Sequence, residues 1–176
     1  MISAGSIFPA TWSQRRRSGV TIGFAIIGLF TFLWLLPIPL SWVPEPIGSA
    51  AQQFAEGARV TVQLTLVSGL IGIVIGVLAA VAKLSNLPPL RWFGDFYVWV
   101  FRGTPLLIQV MFCYYALPFN WQLSEFNSAV LALSLNVGAY NAEAIRAGIQ
   151  AIHKGQIEAA RSLGLSAFQT FRDIVF

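Results

Sequence analysis

Asn136, Tyr140 and Glu143 stand at i, i+4 and i+7 of one apolar stretch. On a helix of ~3.6 residues per turn, an amide, a phenol and a carboxylate therefore share a face. Polar groups at bilayer depth need partners or water, and two uses fit. They can bond to neighbouring helices, with Arg146 as the local ion-pair partner of Glu143, or they can line the path or gate of a small polar solute. Gln109, inside another apolar stretch, allows the same two uses. A second row, Thr61, Thr65, Ser68, Gly72 and Gly76, recurs every three or four residues. Its G-x-x-x-G pair lets helix backbones approach closely in lipid, where packing replaces hydrophobic burial as the driving force. Its hydroxyls also suit a solute path.

Chemistry by the chain itself finds no support. Cys113 is the single cysteine and His153 the single histidine, so neither an intrachain disulfide nor a metal or haem site is expected. No G-x-x-x-x-G-K-[ST] phosphate loop and no H-E-x-x-H pair occurs. The chain reads as a non-enzyme without a cofactor of its own. The basic residues flank apolar segments instead of forming a solvated face, which argues for membrane and against nucleic acid.

The elements that must position these side chains follow from composition. Of 176 residues, 56% are hydrophobic and only 10% charged, against roughly 25% charged in a soluble domain. Four apolar stretches, each near the ~20 residues that cross a bilayer, predict an all-α, polytopic membrane helical bundle. The first span is predicted from Val20 to Leu40, behind Arg15, Arg16 and Arg17. A cleaved signal is the alternative, but the small-residue site Gly48-Ser49-Ala50 lies too far beyond the apolar run. The second span is predicted over Val60–Ala82, stopping at Lys83. Leu90 to Trp121 is too long for one straight crossing, and Thr104-Pro105 divides it: threonine suits a helix cap and proline a first helical position. The third span is thus predicted from Pro105 to Trp121, with Arg102 at the interface and Leu90–Phe101 lying along the membrane surface. The fourth covers Asn127–Ala147.

Alternation of four spans puts Arg15 to Arg17, Lys83, Arg91, Arg146, Lys154 and Arg161 on one side. Glu45, Glu56, Arg59 and Glu125 fall on the other. An excess of lysine and arginine marks the cytoplasmic face, so the amino terminus and the segment after the fourth span are both expected in the cytoplasm. In that segment Ile157–Leu163 makes about two helical turns. Glu158 sits near its amino end, Arg161 near its carboxyl end, and Gly164 is placed to end it. Ser166 and Gln169 form an S-x-x-Q capping box that starts another helix. Two turns are marginal in water, so the first helix should owe its order to something it packs against.

These residues resemble a known family. Glu158-Ala159-Ala160 followed by Gly164 resembles the EAA loop of ATP-binding-cassette importer permeases. FRGTPLLIQ (Phe101–Gln109, with Arg102, Gly103, Thr104 and Pro105) and AYNAEAIRAGIQAI (Ala139–Ile152, with Arg146) resemble signatures of the polar amino-acid branch, glutamine, histidine and glutamate carriers of the type I fold. GARVTVQLTLVSG (Gly57–Gly69) is similar to the first span that branch shares.

The resemblance implies two regions. Residues 1–56 hold an amino-terminal cytoplasmic tail, an extra transmembrane helix and an external loop; 57–176 form the importer transmembrane domain, three further spans plus an EAA loop at 149–176. A final span would be missing, because the family's loop runs on into one. The resemblance also implies that Glu158, Ala159, Ala160 and Gly164 couple the chain to a separate pair of ATPase subunits, which hold ATP and Mg. A second permease subunit, like or unlike this one, an external solute-binding protein and an amino-acid substrate complete the machine, in a bacterial inner membrane. Ala159 and Ala160 are small enough to let a helix seat in a groove, so bulky replacements at either should uncouple hydrolysis from uptake. The competing reading is a membrane anchor or assembly subunit that recruits a cytoplasmic partner and transports nothing.

Overall fold

A computed structural model describes residues 14–117 and 123–175; for 14–17, 154, 167, 174 and 175 it describes the backbone alone. The predicted end of the third span at Trp121, and Phe176, lie outside the described residues. Among those described, every regular element is helical: α1 (Gln14–Leu35), α2 (Pro37–Leu40), α3 (Ala51–Leu84), α4 (Pro88–Gly103), α5 (Leu106–Tyr115), α6 (Glu125–Gln150), α7 (Lys154–Ser162), α8 (Ala167–Thr170) and a π-helical turn, Phe171–Val175. The chain divides into two compact units at Val62 and Gln63.

In the first unit, the predicted Val20–Leu40 span is two pieces. Leu36 separates α1 from α2, whose first residue is Pro37; a proline cannot donate to the preceding turn. Arg59 ties this unit together by donating to the carbonyls of Leu33 (3.3 Å) and Trp34 (3.4 Å), the last turn of α1. Those carbonyls have no partner inside the helix and attract a cation.

The second unit contains the rest of α3 and everything after it. α3 is longer than the predicted Val60–Ala82, because the polar start Ala51–Arg59 joins the apolar run without a break. α1, from Ser18, and α3 are long and apolar enough to cross a membrane. α4 and α5 pass the same test only as a pair, bent by 103° between Gly103 and Leu106. The break therefore falls at Thr104-Pro105 as expected, but the third span is not a helix running from Pro105 to Trp121. At ~1.5 Å per residue, the ten residues of α5 cover only about half of a ~30 Å hydrocarbon core. Nor do Thr104 and Pro105 play the expected parts. Pro105 is itself the cap residue of α5, and the Thr104 hydroxyl turns back to donate to Val100 O at 2.8 Å.

α6 has 26 residues, ample length for a crossing, yet it is not among the helices apolar enough by themselves. Its amino end is capped by Ser124, whose hydroxyl accepts from the Asn127 amide at 3.3 Å. Asn136, Glu143 and Arg146, which lower its hydropathy, are bonded to neighbours, as described below.

Where α3, α4 and α6 meet, the core is small: Ala80, Val98, Ala139 and Ala142 are buried, with Ala79, Tyr97, Phe101 and Ile145 around them. Large apolar side chains point outward instead, Leu70, Leu78 and Val81 among them. That inverted distribution suits lipid, where tight backbone approach holds helices together. A Cβ on Gly72 would lie 2.9 Å from the Val137 side chain, and one on Gly76 would lie 2.6 Å from Asn141 Cβ and 3.1 Å from Gly138 O. The predicted Gly72–Gly76 pair is thus the seam between α3 and α6. Ser68, buried on the same row, donates within its own helix to Leu64 O.

Candidate functional site

Three groupings hold the residues singled out in the sequence. The first lies at the α4–α5 bend. Breaking a helix there frees the carbonyls of its last turn, and Gln109 takes them up. Its buried amide Nε2 donates to Phe101 O (2.9 Å), Thr104 O (3.1 Å) and Thr104 Oγ1 (2.8 Å). Asn136 Nδ2, from the middle of α6, donates to Phe101 O and to Gln109 Oε1, both at 3.2 Å. Gln109 and Asn136 thus join three helices at the bend. Replacing Gln109 by leucine would remove four hydrogen bonds at the bend and leave Phe101 O and Asn136 Nδ2 only each other, at about 0.5–1.5 kcal/mol per bond. We expect a clear drop in the melting temperature of the detergent-solubilised protein; an unchanged melt would show that the knot contributes nothing. A neighbouring apolar cavity of about 380 Å³ is walled by Phe101, Ile108, Gln109, Phe112, Cys113 and Leu135, among others.

Tyr140 does not join that knot. It is half exposed, with the Arg102 guanidinium 5.2 Å from its ring centroid, a cation–π distance. Helical spacing brought Asn136, Tyr140 and Glu143 near one face, and the structure gives each a different partner.

The second grouping is ionic. Lys83, at the end of α3, lies 2.9 Å from Asp95 of α4 and 3.1 Å from Glu143 of α6. Glu143 also accepts from Arg146, the local pair expected from the sequence, and Arg146 reaches on to Gln150. Lys83 is nearly buried, at 10% side-chain exposure, whereas Asp95 is 57% exposed. One lysine thus pins three helices. Nearby, Tyr97 of α4 donates to Leu135 O at 2.6 Å, and Gly94 admits Lys83 beside it, since a Cβ there would lie 2.8 Å from Lys83 Cγ. Sequence spacing did not show Lys83, Asp95 or Tyr97 as partners; the sole hint was a lysine closing an apolar run.

The third grouping is the segment after α6. α7 begins at Lys154, earlier than the predicted Ile157, so Glu158 falls in the second turn, where the helix dipole helps it less. Gly164 ends the helix at φ +77°, a backbone region that glycine enters without penalty. The Gly164 amide donates to Arg161 O (2.9 Å) and that of Leu165 to Ala160 O (3.1 Å), the paired bonds of a Schellman stop. Both arms of the capping box then form: Gln169 Oε1 accepts from the Ser166 amide at 2.8 Å, and Ser166 Oγ from the Gln169 amide at 3.3 Å. The helix it opens, α8, lasts one turn before the π-helical turn. Ala160 is 2% exposed and faces this segment's own packing, while Glu158, Ala159 and Leu163 face out.

With this geometry in hand, similarity to known proteins is specific. Residues 72–176 match the family model of the binding-protein-dependent transport system inner membrane component. The chain belongs to this family. Among its relatives, the arginine transport system permease protein ArtQ of Bacillus subtilis is 45% identical over 122 residues, 68% of this chain and 56% of ArtQ. The putative glutamine transport system permease protein GlnP of Rickettsia bellii is 43% identical over the same shares. The L-cystine transport system permease protein TcyB of Bacillus subtilis is 42% identical over 68% of this chain and 51% of TcyB. A solved structure of an amino acid ABC transporter with histidines superposes with a TM-score of 0.60 at 41% identity, covering 66% of this chain and 55% of that one. The chain spans about half the length of the curated relatives it matches. Its architecture is that of a polytopic membrane helical bundle within this permease family.

Proposed function

We propose that the chain is a permease subunit of an ATP-binding-cassette importer for polar amino acids, and that α7 is the helix through which a separate ATPase drives it. Family membership and relatives named for arginine, glutamine and cystine support the substrate class. The observation that carries the coupling role is the form of the segment after α6. A short helix stopped by Gly164 and backed by the Ser166–Gln169 box presents Ala159 and Leu163 outward, a rigid knob whose exposed apolar surface suits a groove.

Only the turn Ala151–His153 separates α7 from α6, and the last turns of α6 carry Glu143 and Arg146. A displacement of α7 therefore loads the Lys83 clamp first and the Gln109–Asn136 knot next. ATP shifts such an equilibrium only to the extent that the closed ATPase prefers one permease state. In this reading α7 and the amino terminus face the cytoplasm across a bacterial inner membrane. Two permease subunits form the path, and an external binding protein delivers the amino acid.

The test is uptake by the complete transporter, reconstituted with its ATPase and binding protein and offered each of the twenty amino acids. We expect ATP-dependent, saturable accumulation of at least one polar amino acid. Stable assembly with the ATPase but accumulation of none would favour the anchoring subunit instead.

A further inference from the structure

The cytoplasmic end of α3, as oriented above, carries a cavity beside the Lys83 clamp whose remaining cation, Arg91, has no part in the proposed coupling path. A cavity of about 470 Å³ opens between the ends of α3, α4 and α6, lined by Lys83, Ser85, Asn86, Arg91, Asp95 and Arg146, among others. Three cations and two carboxylates meet around it. Lys83 engages Asp95 and Glu143, and Arg146 engages Glu143. Arg91 has no carboxylate partner among the described residues, and its side chain is exposed at the cavity. One positive charge is thus left over.

The surroundings say which anion meets that charge. The apolar run of α3 stops at Lys83, and Leu87 and Leu90, just before Arg91, are exposed. Beyond it, Trp92, Phe96 and Trp99 form an exposed row along α4, Trp92 stacked on Phe96 at 5.6 Å and Phe96 tilted against Trp99 at 6.1 Å. Tryptophan gathers at the membrane–water boundary, and basic pockets between helices on the cytoplasmic side suit lipid headgroups. We infer that this cavity binds a single anionic phospholipid: its singly charged phosphodiester sits against Arg91, Ser85 and Asn86 supply neutral donors, and an acyl chain lies along Trp92, Phe96 and Trp99.

The assembled transporter in nanodiscs of equal phosphatidylglycerol and phosphatidylcholine, released into native mass spectrometry, reads the lipid it keeps. We expect about fivefold enrichment of phosphatidylglycerol, the value of one basic residue at an anionic surface. Arg91→Gln should bring the ratio near parity, while Arg91→Lys should keep most of it. Equal retention of the two lipids by the unaltered protein, or the same enrichment in Arg91→Gln, would overturn the assignment. So would binding of free sn-glycerol 3-phosphate to the protein in phosphatidylcholine alone, which would make the ligand a soluble phosphate ester. The readout involves no transport, so failure here leaves the permease reading standing.

Discussion

Replacing Gly76 by leucine should abolish the packed arrangement of α3 against α6. Glycine is the poorer helix former by close to 1 kcal/mol, so on helix propensity alone the change would stabilise α3. The outcome is decided by space. The first added atom would lie 2.6 Å from Asn141 Cβ and 3.1 Å from Gly138 O, and neither can swing away, one being fixed to the backbone and the other part of it. Overpacking of this kind costs about 1–3 kcal/mol and occasionally more; at a seam held by close approach, the upper end is expected. Gly69→Leu on the same helix meets nothing within 4 Å and serves as the control. Thermal unfolding in detergent should show a large loss for Gly76→Leu and little or none for Gly69→Leu; equal melts would remove the seam from the account.

Lys83→Met should be the most damaging single change at the charged end. The methionine keeps much of the apolar stem and removes the charge that faces Asp95 and Glu143 together. Removing one partner of a buried pair costs roughly 3–5 kcal/mol, and water around the half-exposed Asp95 screens part of that, so the lower end is expected. Glu143 keeps Arg146, which softens the loss without restoring the tie to α3. A double-mutant cycle with Glu143→Gln isolates the pair. The double variant should be more stable than the two single losses added together, and strict additivity would show that Lys83 and Glu143 do not interact.

The features legible in the sequence are those whose cause is local. The Ser166–Gln169 box, the Gly164 stop, the Glu143–Arg146 pair and the break at Thr104-Pro105 each involve residues within one turn, so spacing alone exposes them. The Gly72–Gly76 pair announced a seam without naming its partner, because Ser134, Val137, Gly138 and Asn141 become neighbours only when α6 docks. The Lys83 clamp was hidden for the same reason, its carboxylates standing on two other helices. The third span was misjudged in its extent and not in its break: nothing in an apolar run says that the helix after Pro105 stops at Tyr115, nor that Gln109 and Asn136, on two different helices, take up the carbonyls freed at the 103° bend. Ala160 looked interchangeable with Ala159, since two adjacent alanines differ only in which way the helix turns them.

That last distinction sets the decisive measurement. In the assembled transporter, Ala159→Cys places a thiol on the outer face of α7, while the native Cys113 is buried. A photoreactive maleimide attached there and illuminated should form adducts with the ATPase subunit. Adducts with the external binding protein instead, or labelling of that thiol by a membrane-impermeant reagent from outside intact cells, would contradict a coupling role for α7.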